Sequence, residues 1–517
     1  MFFKPQPFGL TKLFSKIGFI TALMASLFVT NIAVADSTEV KVRQASDFAN
    51  IDPAFWQGRA DLAMINVLFP KLIEYKSGKN WEWELSAAES IEQVDDLTIK
   101  FKLKPGLKWT GDYGEVTAED VKYSYERYLN EELNSPNKGD WASLDNVEVT
   151  GTYSGIIHLK TPFAPIWWST LPYTGGAIVS KAATEKAGGK FTTDPGATAG
   201  MYKIESWKPR EKTILVPHDG WNGKKAAYDK ITILPISEPK AAEIAFESGE
   251  IDVTDVAMSS VGNLKKSRPK GSNLETRPSA DYTWLSLNLA NPKFADIRVR
   301  QAIVKAVDVE AILQGAYFGV PERSKGLVAP GLLGHRDSYV PPARDVKGAK
   351  ALMKAAGISS LDVELELPNT SEFVTAAQII QANLAEIGVN VQINQLDSGA
   401  FWNVAADKQE ALEMTLKNYT SPADASWSTQ WFISEQKGSW NWEWLESEEF
   451  DKLHDAALTE SDSEKRAGMY YRMQNIMDES QAFIWIMHPP SVVLSSGSVS
   501  PGLYPNGRLK LSDFKPN

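Results

Sequence analysis

The 517-residue chain contains no cysteine. This excludes disulfides, thiolate metal sites, a cysteine nucleophile and a lipid-modified N-terminal cysteine. Histidine is scarce. The five are His158, His218, His335, His454 and His488, none paired at metal-ligand spacing, so no metal site built on histidine is expected. Positive charge is also in deficit, with 54 Lys+Arg against 65 Asp+Glu and a formal net charge of −11. No basic block offsets this, and nucleic acid is not an expected partner, because phosphate contacts need clustered Lys and Arg. The chain lacks G-x-S-x-G, a P-loop, G-x-G-x-x-G and H-E-x-x-H. Carboxylate pairs such as Glu82/Glu84 and Glu443/Glu446 are what 65 acids produce by chance. They read as solvated surface, although a secreted glycosidase-like enzyme would also need two carboxylates. No catalytic residue, metal or cofactor is expected.

A single long apolar run is present, Ile17 to Val34. Lys4, Lys12 and Lys16 precede it, and Ala33-Val34-Ala35 closes it before Asp36. This is the pattern of a secretory signal peptide, residues 1–35, cleaved after Ala35; a retained anchor is the alternative. The expected product is an exported, acidic, monomeric protein. At roughly 150 residues per domain the chain holds two or three domains, enough for a core without staples.

Patterning places it in the α/β class. Leu97–Lys104 alternates apolar and polar residues and ends at Pro105-Gly106, as a strand with one wet face does. Thr117-Ala118-Glu119-Asp120 opens a helix as a capping box with Asp in place of Glu. Residues 345–395 read helix, strand, helix, strand, and the last three make a right-handed parallel crossover. Two helices are expected near the end, 448–458 and 463–479.

What the chain has in excess is tryptophan, 17 residues, of which Trp402, Trp427, Trp431, Trp440, Trp442 and Trp444 fall close together. Each could simply fill a core, since aromatic side chains bury large areas. Alternatively, if Trp440-Asn441-Trp442-Glu443-Trp444 is extended, its three rings share one face. Such a row suits a polar ligand with flat apolar faces: a sugar, a peptide side chain or an organic cation.

Lys104-Pro105-Gly106-Leu107-Lys108-Trp109 and Val116–Ser124 closely resemble the family 5 extracytoplasmic solute-binding proteins, the peptide/nickel-type receptors of ABC importers. The resemblance continues through Ala199–Lys203, Ser248–Val253, Asn288 with Asp296–Ile303, and segments 385–391, 450–458 and 470–477. It implies a two-lobed periplasmic flytrap with mixed sheets in each lobe. Lobe I would comprise 36–289 and 485–517, and lobe II 290–484, with ligand held between them and passed to an inner-membrane ABC permease. Peptide-binding members carry Asp-Tyr-x-x-Pro, whose Asp pairs with the ligand's α-ammonium. Here the matching stretch is Asn418-Tyr419-Thr420-Ser421-Pro422, with Asp424 shortly after. A neutral amide cannot neutralise an ammonium, so either Asp424 substitutes or the ligand has no free amine. The expected small-molecule ligand is a short peptide or amino-acid derivative, with an oligosaccharide as the alternative. The candidate ligand-binding residues are Asn418, Tyr419, Asp424, Trp427, Trp402, Trp440, Trp442 and, from the first lobe, Tyr173.

Overall fold

The computed structural model describes residues 38–517. The expected signal peptide and its cleavage point lie outside the described residues. Local structure follows the sequence patterns closely. The alternating run forms strand Thr98–Leu103, with Ile99, Phe101 and Leu103 buried and the lysines between them exposed. Helix Ala118–Glu126 begins with the expected capping box, in which the Thr117 N–H donates to the Asp120 carboxylate at 2.9 Å. Strands Leu361–Pro368 and Val389–Leu396 flank helix Ser371–Ala385 and pair in parallel, as expected for a crossover.

The first lobe is built on a mixed seven-stranded sheet in the spatial order 272–277, 491–496, 253–255, 39–44, 230–235, 212–217, 202–208. Glu39–Gln44 is parallel to both its neighbours, and the outer strands are antiparallel. The C-terminal strand Ser491–Ser496 therefore lies inside this sheet, between two strands made more than two hundred residues earlier. An antiparallel four-stranded sheet, 88–95, 98–103, 154–159 and 144–151, carries its own core around Phe101, Trp109, Tyr125 and Trp141.

The second lobe is built on five strands in the order 389–396, 361–368, 414–419, 282–287, 483–487. Tyr282–Leu287 and Phe483–Met487 pair antiparallel within this sheet. Both strands thus belong to the second lobe, and the expected lobe limits at 289/290 and 484/485 cut through or beside it. The chain instead passes between the sheets near 278–281 and 488–490. His488 ties the two passages together: its Nδ1 lies 2.9 Å from the Asp281 carbonyl and its Nε2 3.0 Å from the Ser324 hydroxyl. A second contact between the lobes is the Ala164 N–H donating to the Leu458 carbonyl at 2.8 Å. Among the described residues no helix is long and apolar enough to cross a membrane, and no cluster of three potential metal ligands occurs.

Candidate functional site

A cavity of about 270 Å³ opens in the first lobe, lined only by residues between 43 and 258 and between 490 and 509. Helix Arg59–Leu68 presents Arg59, Leu62, Ala63 and Asn66 to it; strand Glu39–Gln44 presents Arg43; the C-terminal segment supplies Tyr504, Asn506 and Arg508. Tyr75, Trp81 and Tyr173 complete an aromatic wall, with Tyr75 and Trp81 meeting edge to face at 5.0 Å. The Tyr75 hydroxyl donates to the Trp168 carbonyl and lies beside Ala423 and the Asp424 carboxylate, so this wall borders the second lobe.

The charged groups form a defined pattern. Asp281 is buried at 2% side-chain exposure and receives Arg59 on one oxygen and Arg508 on the other, the latter at 3.4 Å. Arg43 is committed to Asp255 and to the carbonyls of Ile236 (2.8 Å) and Ser237 (2.9 Å). Tyr173 stands edge-on to Trp56 at 5.7 Å with its hydroxyl beside Arg508. Burial raises the Tyr173 pKa, with Arg508 opposing, so the phenol stays protonated and can donate.

Lys71 supports this wall from behind, donating to the Asn66 side chain and to the Pro172 carbonyl at 3.2 Å. Burial lowers its pKa to about 7, outweighing the attraction of Glu74. An unfolded lysine titrates near ~10.4. Between the two values the unfolded chain binds the extra proton, so stability rises with pH across this window, by up to about 1.4 kcal/mol per pH unit. Urea unfolding at pH 7 and pH 9.5 is expected to show the rise, and Lys71→Met to remove the part that starts near pH 7. An equal rise in the variant would assign the effect elsewhere.

A second aromatic surface lies on the second lobe. Trp427 contacts Trp431 at 5.8 Å, Trp431 contacts Trp440 at 5.1 Å, and Trp440 contacts Trp402 at 6.4 Å. Tyr419 packs beneath, 5.8–5.9 Å from Trp440 and Trp402, and its hydroxyl donates to the Trp440 carbonyl at 2.9 Å. Trp402 and Trp440 keep 42% and 41% of their surface exposed, which leaves ring faces free.

The alternation expected at 440–444 is not realised. The segment turns, with Trp444 at φ 53°, so the three rings do not share a face. The Asn441 amide closes the turn by donating to the carbonyls of Leu445 (2.8 Å), Phe432 and Ile433 (both 3.2 Å). Trp442 faces inward at 2% exposure, against Phe401 at 5.3 Å. A buried ion pair pins the turn to strand Met414–Tyr419. Lys417 Nζ meets Glu443 Oε1 at 2.8 Å, both side chains fully buried, and stands 4.4 Å from the Trp442 ring and 5.0 Å from the Trp284 ring. Trp284 Nε1 donates to the same carboxylate oxygen at 2.9 Å. A lone lysine within the buried strand Met414–Tyr419 was the available sequence signal for this pair.

Asp424 has another partner than a ligand. It is 3% exposed, caps helix Ala425–Thr429 through the Ser426 N–H at 2.9 Å, and receives both terminal nitrogens of Arg466 at 2.7 and 2.8 Å. Burial works to raise its pKa; Arg466 and Ser426 outweigh this and hold it below the ordinary carboxylate value. Its lone pairs are committed, and the expectation that it substitutes for an amine-binding acid is not supported by this geometry. Asn418 is half-buried on the same strand as Tyr419, opposite Thr283. Apart from Asn418, the expected residues separate into three groups: Tyr173 on the cavity; Trp402, Tyr419, Trp427 and Trp440 in the aromatic row; Trp442 and Asp424 in the interior. Arg59 and Arg508 were not among them.

Comparison with known proteins gives a consistent result. The chain is 26% identical over 487 residues to the probable D,D-dipeptide-binding periplasmic protein of Escherichia coli K12, spanning 91% of this chain and 93% of that one. It is 25% identical over 508 residues to the periplasmic oligopeptide-binding protein of Salmonella typhimurium LT2, covering 90% and 91%. The Helicobacter pylori periplasmic binding protein solved with the peptide STSA superposes with TM-score 0.78 at 23% identity, over 93% of this chain and 98% of that one, and shares its two-lobed fold. The family model for bacterial extracellular solute-binding proteins, family 5 (middle region), matches residues 82–440, most of the chain, and the protein belongs to that family.

Proposed function

We propose that the protein is the periplasmic receptor of an ABC importer, capturing a short peptide or an amino-acid-derived solute between its lobes and handing it to an inner-membrane permease. It would act as a monomer after export and cleavage following Ala35. The carrying observation is the first-lobe cavity, with aromatic walls and guanidinium groups, whose Tyr75 wall borders Ala423 and Asp424 of the second lobe. At about 270 Å³ it lies at the small end of ligand pockets, suited to a compound of one or two residues. The two relatives named above are peptide-binding proteins, which favours this class over the oligosaccharide alternative. Crossing points near 278–281 and 488–490 are the natural hinge.

A thermal-shift and tryptophan-fluorescence screen of peptides and amino-acid derivatives tests the reading. A ligand that binds only the folded state adds about 2.7 kcal/mol at a hundredfold excess over Kd. Emission should change as lobe closure alters the surroundings of Trp402 and Trp440. If no compound in such a panel moves either signal, the receptor assignment fails for this ligand class.

A further inference from the structure

We propose that the cavity is built for a carboxylate-bearing ligand without a free ammonium group, and that Arg59 receives the carboxylate. This rests on the receptor reading and narrows it to N-acylated amino acids, N-acylated small peptides and amine-free dicarboxylates.

The argument is a local charge inventory. Three guanidinium groups line the cavity, Arg43, Arg59 and Arg508, and two carboxylates accompany them, Asp255 and Asp281. One positive charge is left over. Arg43 is buried, with its donors committed to Asp255 and two carbonyls. Arg508 is 17% exposed and shared between Asp281 and Tyr173. Arg59 differs from both. Its side chain is 66% exposed, and its single hydrogen bond among the described residues goes to Asp281, held from one terminal nitrogen. The remaining donors of its planar fork are available, and that fork matches a carboxylate in bidentate geometry better than any lysine could.

The same inventory argues against an ammonium. Asp255, though 57% exposed, is paired with Arg43 through one oxygen, Asp281 is closed off between two arginines, and Asp424 is closed off by Arg466. Position 418, beside Tyr419, holds a neutral amide. An ammonium enclosed here would meet only carboxylates already paired with arginine, in a cavity that carries one surplus positive charge, and an enclosed charge without a counter-charge of its own is disfavoured.

The test is calorimetry and thermal shift on the exported chain with matched probes: N-acetyl dipeptides and dicarboxylates, their carboxamides, and the same dipeptides with a free amine. Binding is expected for the acids, with loss of at least tenfold on amidation of the carboxylate and no penalty for N-acetylation. Arg59→Gln should weaken the binding acids tenfold or more, and Arg59→Lys should recover part of it, with affinities compared at temperatures where both variants, which alter a contact to the buried Asp281, remain folded. Binding that tolerates amidation, requires the free amine or ignores Arg59→Gln overturns the proposal and leaves the receptor reading intact. No binding by any probe overturns both.

Discussion

Arg466→Met is expected to destabilise the protein by about 3–5 kcal/mol, the loss typical when one partner of a buried ion pair is removed. The guanidinium spans Asp424 with two contacts and donates from Nε to the Ala457 carbonyl at 2.7 Å, so it joins helix Ala425–Thr429, helix Glu448–Thr459 and its own helix Ser463–Ser480. Removing it leaves a carboxylate with no counter-charge in an interior that is 3% exposed. The pair also sets an acid limit. Because the folded Asp424 pKa is depressed, its contribution is present above the unfolded value of ~3.9 and is lost as pH falls through the lower, folded value. Urea midpoints measured from pH 7 to pH 3 should fall in the wild type, and in Arg466→Met this component should be missing. A variant as stable as wild type at pH 7 would show that the pair is replaceable. Asp424→Asn is expected to act on the same stability and not on ligand affinity at constant fold.

The second large effect is expected at Lys417. Lys417→Met strands Glu443, which is fully buried and whose Oε2 already lacks a hydrogen-bond partner among the described residues. The expected loss is again about 3–5 kcal/mol, and the double variant Lys417→Met/Glu443→Leu should recover most of it, because apolar replacement of a whole buried pair is often neutral. The double variant should nevertheless differ in near-ultraviolet circular dichroism, since Glu443 also holds Trp284 Nε1 and fixes the turn that displays Trp440. If the double variant were as unstable as the single, the lysine's packing between Trp284 and Trp442, and not its charge, would be responsible.

The fold was readable from the chain where periodicity and punctuation are local. The crossover at 361–396 needed only a β-rich run, a helical period and Gly388 as a stop, and the structure forms it in register. The same logic could not assign Tyr282–Leu287 to a lobe. All six of its residues are buried, so the strand shows no alternation, and its partners Met414–Tyr419 and Phe483–Met487 are remote in sequence. The tryptophan run showed a similar limit. Spacing identified the aromatic concentration, but the left-handed turn at Trp444 and the hydrogen bonds of Asn441 decided which rings face solvent. Arg59 carries no local signature: an arginine at the start of a helix is ordinary, and only the fold brings Asp281 and Arg508 to it.

The position of Ser491–Ser496 constrains the order in which the molecule can be completed. The five strands of the second lobe all lie between residues 282 and 487, so that sheet is whole once the chain has been made to residue 487. The first lobe is not. Strands 253–255 and 272–277 both pair with 491–496 and do not pair with each other, so the sheet begun at residue 39 stays divided until its last strand arrives. Closing it pairs segments more than two hundred residues apart, a costly and slow contact to form. The four-stranded sheet of residues 88–159 can form early, but the sheet that anchors the first lobe is completed only when the C-terminal strand is available, so truncation before residue 491 leaves that lobe open.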